Sequence, residues 1–189
     1  VQSEARVREI IEGASGSDEA TKIAHIYKSF MDSAAVNAKG CSPIAAELAL
    51  VDSISTIADF ISTFSQLEAR GTSGIFGTFI YADMKDASTN ILYLAQGGIS
   101  LPDEAYYREE KYAEIRTAYL AHITAMFTLA KVSNPAENAA KVMALETSIA
   151  GHHWDQVKNR DATLTYNKMN RTEVKALMPA FDWEHYLAA

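Results

Sequence analysis

The feature that most constrains the fold is a change of hydrophobic period in the middle of the chain. From residue 7 to residue 67 apolar side chains recur at spacings of three and four, the mark of amphipathic helices. Then Ile75-Phe76-Gly77-Thr78-Phe79-Ile80-Tyr81 runs β-branched and aromatic, and Asn90-Ile91-Leu92-Tyr93-Leu94 does the same. The link between them is polar, with Asp83, Lys85, Asp86 and Ser88, and Gly97-Gly98 breaks the second run. This order predicts a two-stranded antiparallel hairpin over about residues 75–95. A hairpin alone is marginal in water, so it must pack on helices or pair with a strand from elsewhere.

Helices are expected on both sides. Val7, Ile10 and Ile11 mark a first helix closed by Gly13, and Ser17-Asp18-Glu19 opens a second with the stripe Ile23, Ile26, Tyr27, Phe30 and Met31. Ser42-Pro43 restarts a helix, with proline acceptable in its first turn. Ser55 or Thr56 starts another, carrying Ile57, Phe60, Ile61, Phe64 and Leu67 and ended by Gly71. After the hairpin, one long amphipathic stretch is predicted over about 107–132. Asn134-Pro135-Ala136-Glu137 starts the next helix. Residues 159–168 read as a polar loop. Thr172 is expected to cap a helix, with Lys175 where a capping-box acid would sit, and a last helix includes residues 181–186. The fold class is therefore mainly α, a multi-helix lobe with one small antiparallel β-hairpin, and residues 1–189 are expected to form a single domain.

Composition bounds the function. At 189 residues the chain can bury roughly 70% of its unfolded surface without covalent staples. A formal charge of −7 argues against nucleic acid, whose phosphates need a basic surface. Cys41 is the only cysteine, so no intrachain disulfide and no cysteine-based zinc site can form. No apolar run approaches the ~18 residues of a membrane span, and no signal peptide is visible. The chain starts at Val1 without a methionine, inside what reads as a helix, so it is expected to be a piece of a longer protein.

The residues that could carry chemistry are few. His25, His122, His152, His153 and His185 include no pair at i and i+4, so no helix presents a paired-histidine zinc face. His152 and His153 point about 100° apart on a helix and read as a partly exposed helix end. Glu146 lies two turns before His153. No Gly-x-Ser-x-Gly elbow occurs, and Gly71-Thr72-Ser73-Gly74 and Gly97-Gly98 read as turns rather than phosphate loops. Asp83, Lys85 and Asp86 read as a polar hairpin turn. Tyr106, Tyr107, Tyr112 and Tyr119 read as core rather than a ligand groove. Arg160-Asp161 beside Tyr166-Asn167 suggests a fixed loop with buried hydrogen bonds. No catalytic, cofactor-binding or metal residue is assigned.

Several stretches in order carry a resemblance. They are Ile26-Tyr27-Lys28-Ser29-Phe30-Met31-Asp32-Ser33-Ala34-Ala35; the strand pair of residues 76–96; Gly98-Ile99-Ser100-Leu101-Pro102-Asp103-Glu104-Ala105-Tyr106-Tyr107; and Leu145-Glu146-Thr147 followed by Arg160-Asp161 and Tyr166-Asn167-Lys168-Met169. Together they resemble the N-terminal region of the neprilysin and endothelin-converting enzyme family of zinc metallopeptidases, over nearly the whole chain. The third stretch matches that family's Gly-x-x-Leu-Pro-x-x-x-Tyr-Tyr signature. The resemblance implies a helical lobe that walls a central cavity, restricts substrates to short peptides and faces a catalytic lobe of the same parent chain. It implies zinc in the parent and none in this piece, because the family's His-Glu-x-x-His helix is absent here. The single cysteine is unlike the disulfide-rich vertebrate members and points to a bacterial parent, either exported or cytoplasmic. Two other readings stay open: a free-standing helical module that binds peptide or protein, which a gene ending near Ala189 would favour, and a small enzyme using His152 or His153.

Overall fold

The computed structural model describes residues 2–188, which contain twelve α-helices and one two-stranded antiparallel sheet. They divide into two compact units whose boundary falls between Ala45 and Ala46.

The first unit is helical. It holds α1 (Gln2–Glu12), α2 (Asp18–Met31), α3 (Ser33–Lys39) and a 3₁₀ turn at Ser42–Ile44 that carries Pro43 near its start. Ser17 caps α2 by accepting from Ala20 N, as its position predicts. The apolar run past Met31 does not stay in one helix. Asp32 donates its N–H back to Lys28 O and accepts Ala35 N at 3.0 Å on its side chain, so one residue ends α2 and caps α3. Tyr27 OH donates to Glu12 Oε1 at 2.7 Å, and Arg8 Nε donates to the same oxygen at 2.8 Å, which ties α1 to α2. The apolar stripe of α2 is largely uncovered: Ile26 is 71% and Phe30 80% exposed.

The second unit begins with α4, most of which belongs to it (Ala45–Asp52), and α5 (Ile57–Ala69). Thr56 and Asp59 form a full capping box at the head of α5. Strands β1 (Phe76–Asp83) and β2 (Asp86–Gln96) pair antiparallel with Phe76 opposite Gln96 and Ile80 opposite Leu92. The register breaks between Ala82 and Asp83. There Asp86 accepts Ser88 N, Ser88 Oγ and Thr89 Oγ1, a self-bonded polar turn of the expected kind.

After the hairpin come α6 (Ala105–Arg108), α7 (Ala113–Leu129) and α8 (Pro135–Ala150). The single helix expected over 107–132 is broken at Glu109, whose backbone is extended. Arg116 Nη1 donates to the carbonyls of Tyr106 and Glu109, both at 2.8 Å, and holds that corner. Short helix α9 (Gln156–Asn159) ends where the predicted loop begins, and α10 (Ala162–Thr165) lies inside it. The cap of α11 (Arg171–Leu177) is Asn170 with a complete box through Glu173, not Thr172, because Asn170 has the extended backbone that a cap needs. Helix α12 (Trp183–Ala188) packs on α5.

The core of this unit is aromatic. Ile61, Phe64, Phe181, Trp183 and Tyr186 are buried together, with Phe76 of β1 packed against them. Phe76 meets Phe64 edge-on at 5.5 Å and Phe181 at 5.6 Å, and Phe64 stacks on Tyr186 at 5.5 Å. Each such pair adds about 0.5–1.5 kcal/mol beyond area burial. Gly74 leaves the room: a Cβ there would sit 2.1 Å from a Phe64 ring carbon. The start of the hairpin is thus anchored between α5 and α12, which answers the requirement that it pack on helices.

Candidate functional site

Three buried or half-buried carboxyl groups gather hydrogen bonds from distant parts of the chain, and each is filled by partners within the chain. Glu146 projects from α8 and is buried, 8% exposed. Ser100 Oγ donates to its Oε1 at 2.8 Å, Tyr119 OH to the same oxygen at 2.9 Å, and Tyr107 OH to Oε2 at 2.6 Å. The Tyr107 oxygen in turn accepts the backbone N–H groups of Ser100 and Leu101. Burial, and then the bond to Glu146, push the Tyr107 phenol far above its ordinary range; burial also raises Tyr119. The Gly-Ile-Ser-Leu-Pro loop is therefore knotted through one tyrosine to one glutamate.

Asp83 is the second. It sits at the polar hairpin turn, as read from the sequence, yet is only 2% exposed. Lys168 Nζ lies 2.6 Å from Oδ2, Tyr166 OH donates to Oδ1 at 2.7 Å, and Lys85 N donates to Oδ1 at 2.9 Å. Lys168, the Lys85 amide and Tyr166 hold its carboxyl down at about 2. Lys85 Nζ also lies 4.3 Å over the Tyr166 ring. The buried hydrogen bond expected of the Tyr-Asn loop is this one. Arg160 and Asp161 do not supply it: Asp161 caps α10 through Thr163, and Arg160 reaches Gln156.

Glu68 of α5 is the third. Thr78 Oγ1 donates to Oε1 at 2.9 Å and Tyr186 OH to Oε2 at 2.5 Å, while Ser65 Oγ donates to the Tyr186 carbonyl. Burial and then Glu68 raise the Tyr186 phenol to about 12. One carboxyl thus joins α5, β1 and α12.

A further strap follows the hairpin. The Gln96 amide makes two bonds to the Trp154 backbone, at 3.0 Å each, and His153 Nε2 lies 2.9 Å from Gly97 O. Gln156 Nε2 donates to Asp103 at 2.7 Å. His25, His122, His152 and His185 are exposed, and His185 rests beside Asp182 at 3.3 Å. The partners of Glu146 are hydroxyls, and neither His152 nor His153 is among them. Tyr106 stacks on Tyr112 at 4.0 Å, so the tyrosines are stacked or bonded rather than ranged along a groove.

The donor sets do not fit a zinc ion. Among the described residues no three His, Cys, Asp or Glu side chains converge on one point, and the glutamate nearest such a role is filled by three hydroxyls. No helix among the described residues is long and apolar enough to cross a membrane.

A family model described as Peptidase family M13 matches residues 1–189. Human endothelin-converting enzyme 1 is 30% identical over 123 residues, 61% of this chain and 16% of that protein. Mouse membrane metallo-endopeptidase-like 1 is 29% identical over 120 residues, 58% of this chain and 16% of that protein. Among solved structures, the Mycobacterium tuberculosis zinc metalloprotease Zmp1 in its open state superposes with a TM-score of 0.86 at 35% identity, covering 99% of this chain and 30% of that one. The same protease in complex with an inhibitor gives 0.85 at 34% identity, with the same coverage. The chain therefore spans about a sixth of the curated relatives' length and under a third of the solved ones'. It belongs to peptidase family M13, the neprilysin family of zinc metallopeptidases, and corresponds to that family's N-terminal region.

Proposed function

We propose that residues 1–189 are one non-catalytic helical lobe of a zinc endopeptidase that cleaves short peptides, and that the lobe walls the central cavity and limits substrate size. The observation that carries this reading is the state of the carboxyl groups. A general base or metal ligand needs a lone pair facing a cavity, and the oxygens of Glu146, Asp83 and Glu68 face donors of this same chain. They fix loops, which suits a wall. Zinc would be held by the part of the parent outside this chain, and there it would supply a polarised water for peptide hydrolysis. The partners are then that catalytic lobe and short peptides.

Exposed apolar residues support the same reading, since Phe30, Ile26 and Ile80 are each more than 70% exposed and large uncovered apolar surface marks an interaction face. That surface also favours the second reading, a free-standing module that binds peptide or protein. Cleavage by the full-length gene product separates the two. A peptide of about ten residues is cut, and the same sequence presented on a folded domain is spared, because closure around the substrate excludes bulk. Equal cleavage of both would remove the size-limiting role, and no cleavage of either would favour the module.

A further inference from the structure

The hairpin is anchored at its two ends, by Phe76 and Thr78 at the open end and by Asp83 with Tyr166 and Lys168 beside the turn. Between these anchors the strands expose apolar side chains on both faces. Successive residues of a strand alternate between faces. Phe79 (52% exposed) and Tyr81 (69%) lie on one face, and Ile80 (72%) lies on the other with Leu92 opposite it and Leu94 beyond. A strand apolar on both faces is the pattern of one covered on both faces.

The edge is as telling as the faces. The sheet has two strands, so β1 has an outer edge without a strand partner among the described residues. Sheets guard such edges with charge, proline or lysine. From Phe76 to Ala82, β1 carries none of these, and reads Phe-Gly-Thr-Phe-Ile-Tyr-Ala. Seven uncharged residues, five of them β-prone, at an open edge are an aggregation hazard unless covered. The turn half of β2, by contrast, is polar, and its far end is met by Trp154 through Gln96.

We propose that the β1 edge and both faces of the middle of the hairpin are an intramolecular docking element, covered by an extended apolar segment from the remainder of the same polypeptide. This rests on the reading of the chain as one lobe of a longer peptidase. The chain covers only 30% of the solved relative it superposes on, so the larger part of such a polypeptide lies outside these residues. A second copy of the lobe, joined about a two-fold axis, would cover one edge or one face but not both faces together. A bound peptide would cover the edge alone.

The test uses the full-length protein with Cys41 and every cysteine outside these residues replaced by serine, and Ile80→Cys or Tyr81→Cys added singly, one on each face. Maleimide labelling of both is expected to be at least roughly 100-fold slower in the native than in the unfolded protein, as for groups released only by sub-global opening. Amide hydrogen exchange on the unsubstituted protein gives a second readout, with β1 amides expected to be slow at all protein concentrations. Labelling of both positions at the unfolded rate, with fast exchange along β1, overturns the proposal. Protection that vanishes on dilution assigns the cover to a second copy and also overturns it. Neither readout depends on activity. A full-length protein that holds zinc and cleaves peptides but exposes the hairpin refutes the docking element alone; one that protects the hairpin but lacks zinc refutes the peptidase reading alone.

Discussion

Removing the Glu146 carboxyl would strand three hydroxyl donors, two of them on buried or half-buried tyrosines. An unsatisfied buried donor costs about 1–3 kcal/mol, so Glu146→Ala is expected to lower unfolding stability by about 3 kcal/mol. Glu137→Ala on the same helix removes only an exposed pair with Lys141 and should cost about 0.5 kcal/mol or less. Urea unfolding of the two variants side by side checks the difference, and equal small losses would mean that the knot contributes little. Asp83 gives a pH signature. Its folded pKa, about 2, lies below the usual 3.8, so its contribution is complete above about pH 4 and is lost as pH falls towards 2. The native protein should therefore lose thermal midpoint across that window, and Asp83→Asn should lack that increment. An acid profile identical in the two proteins would show that Lys168 and Tyr166 do not hold the turn.

Between elements, Gly98 is the most crowded of the glycines at positive φ. It has φ +78°, and a Cβ there would come within 2.8 Å of Ile75 O. Gly98→Ala is expected to cost about 1–3 kcal/mol. Gly16, also at positive φ but with open space around it, should lose only the conformational share, about 1 kcal/mol. Thermal midpoints that fall equally for both would show that the hairpin's exit is not packed as described. Much at this scale was legible in the sequence. The period change placed the hairpin, and Ser17, Thr56 and Pro135 marked helix starts because capping is a local matter of a few residues. The breaks at Asp32 and Glu109 were not legible, because the apolar spacing runs through both and only backbone bonds formed on folding interrupt it. The cap of α11 was misplaced by two residues, although Asn170 with Glu173 spells the box that Thr172 with Lys175 lacks.

The polar knots lay further out of reach. Glu146 takes its donors from 46, 39 and 27 residues away, and Asp83 meets Lys168 across 85. No local pattern links residues so distant, and Asp83 looked like an ordinary turn acid. One local hint existed: Asp83 continues the alternation of Phe79 and Tyr81, which points it at one face of the sheet. For the molecule as a whole, these knots tie the loops of the second unit together, while the stripe of α2 and the middle of the hairpin leave apolar surface for something else to cover. The proposed reading as a wall of a larger enzyme expects this division of labour, with polar groups turned inward for shape. The most direct test is zinc content and peptide hydrolysis of residues 1–189 beside the full-length gene product. Zinc and cleavage confined to the full-length protein are the predicted result. One equivalent of zinc bound by residues 1–189, with any hydrolysis, would contradict the non-catalytic role and return His152 and His153 to the centre of the chemistry.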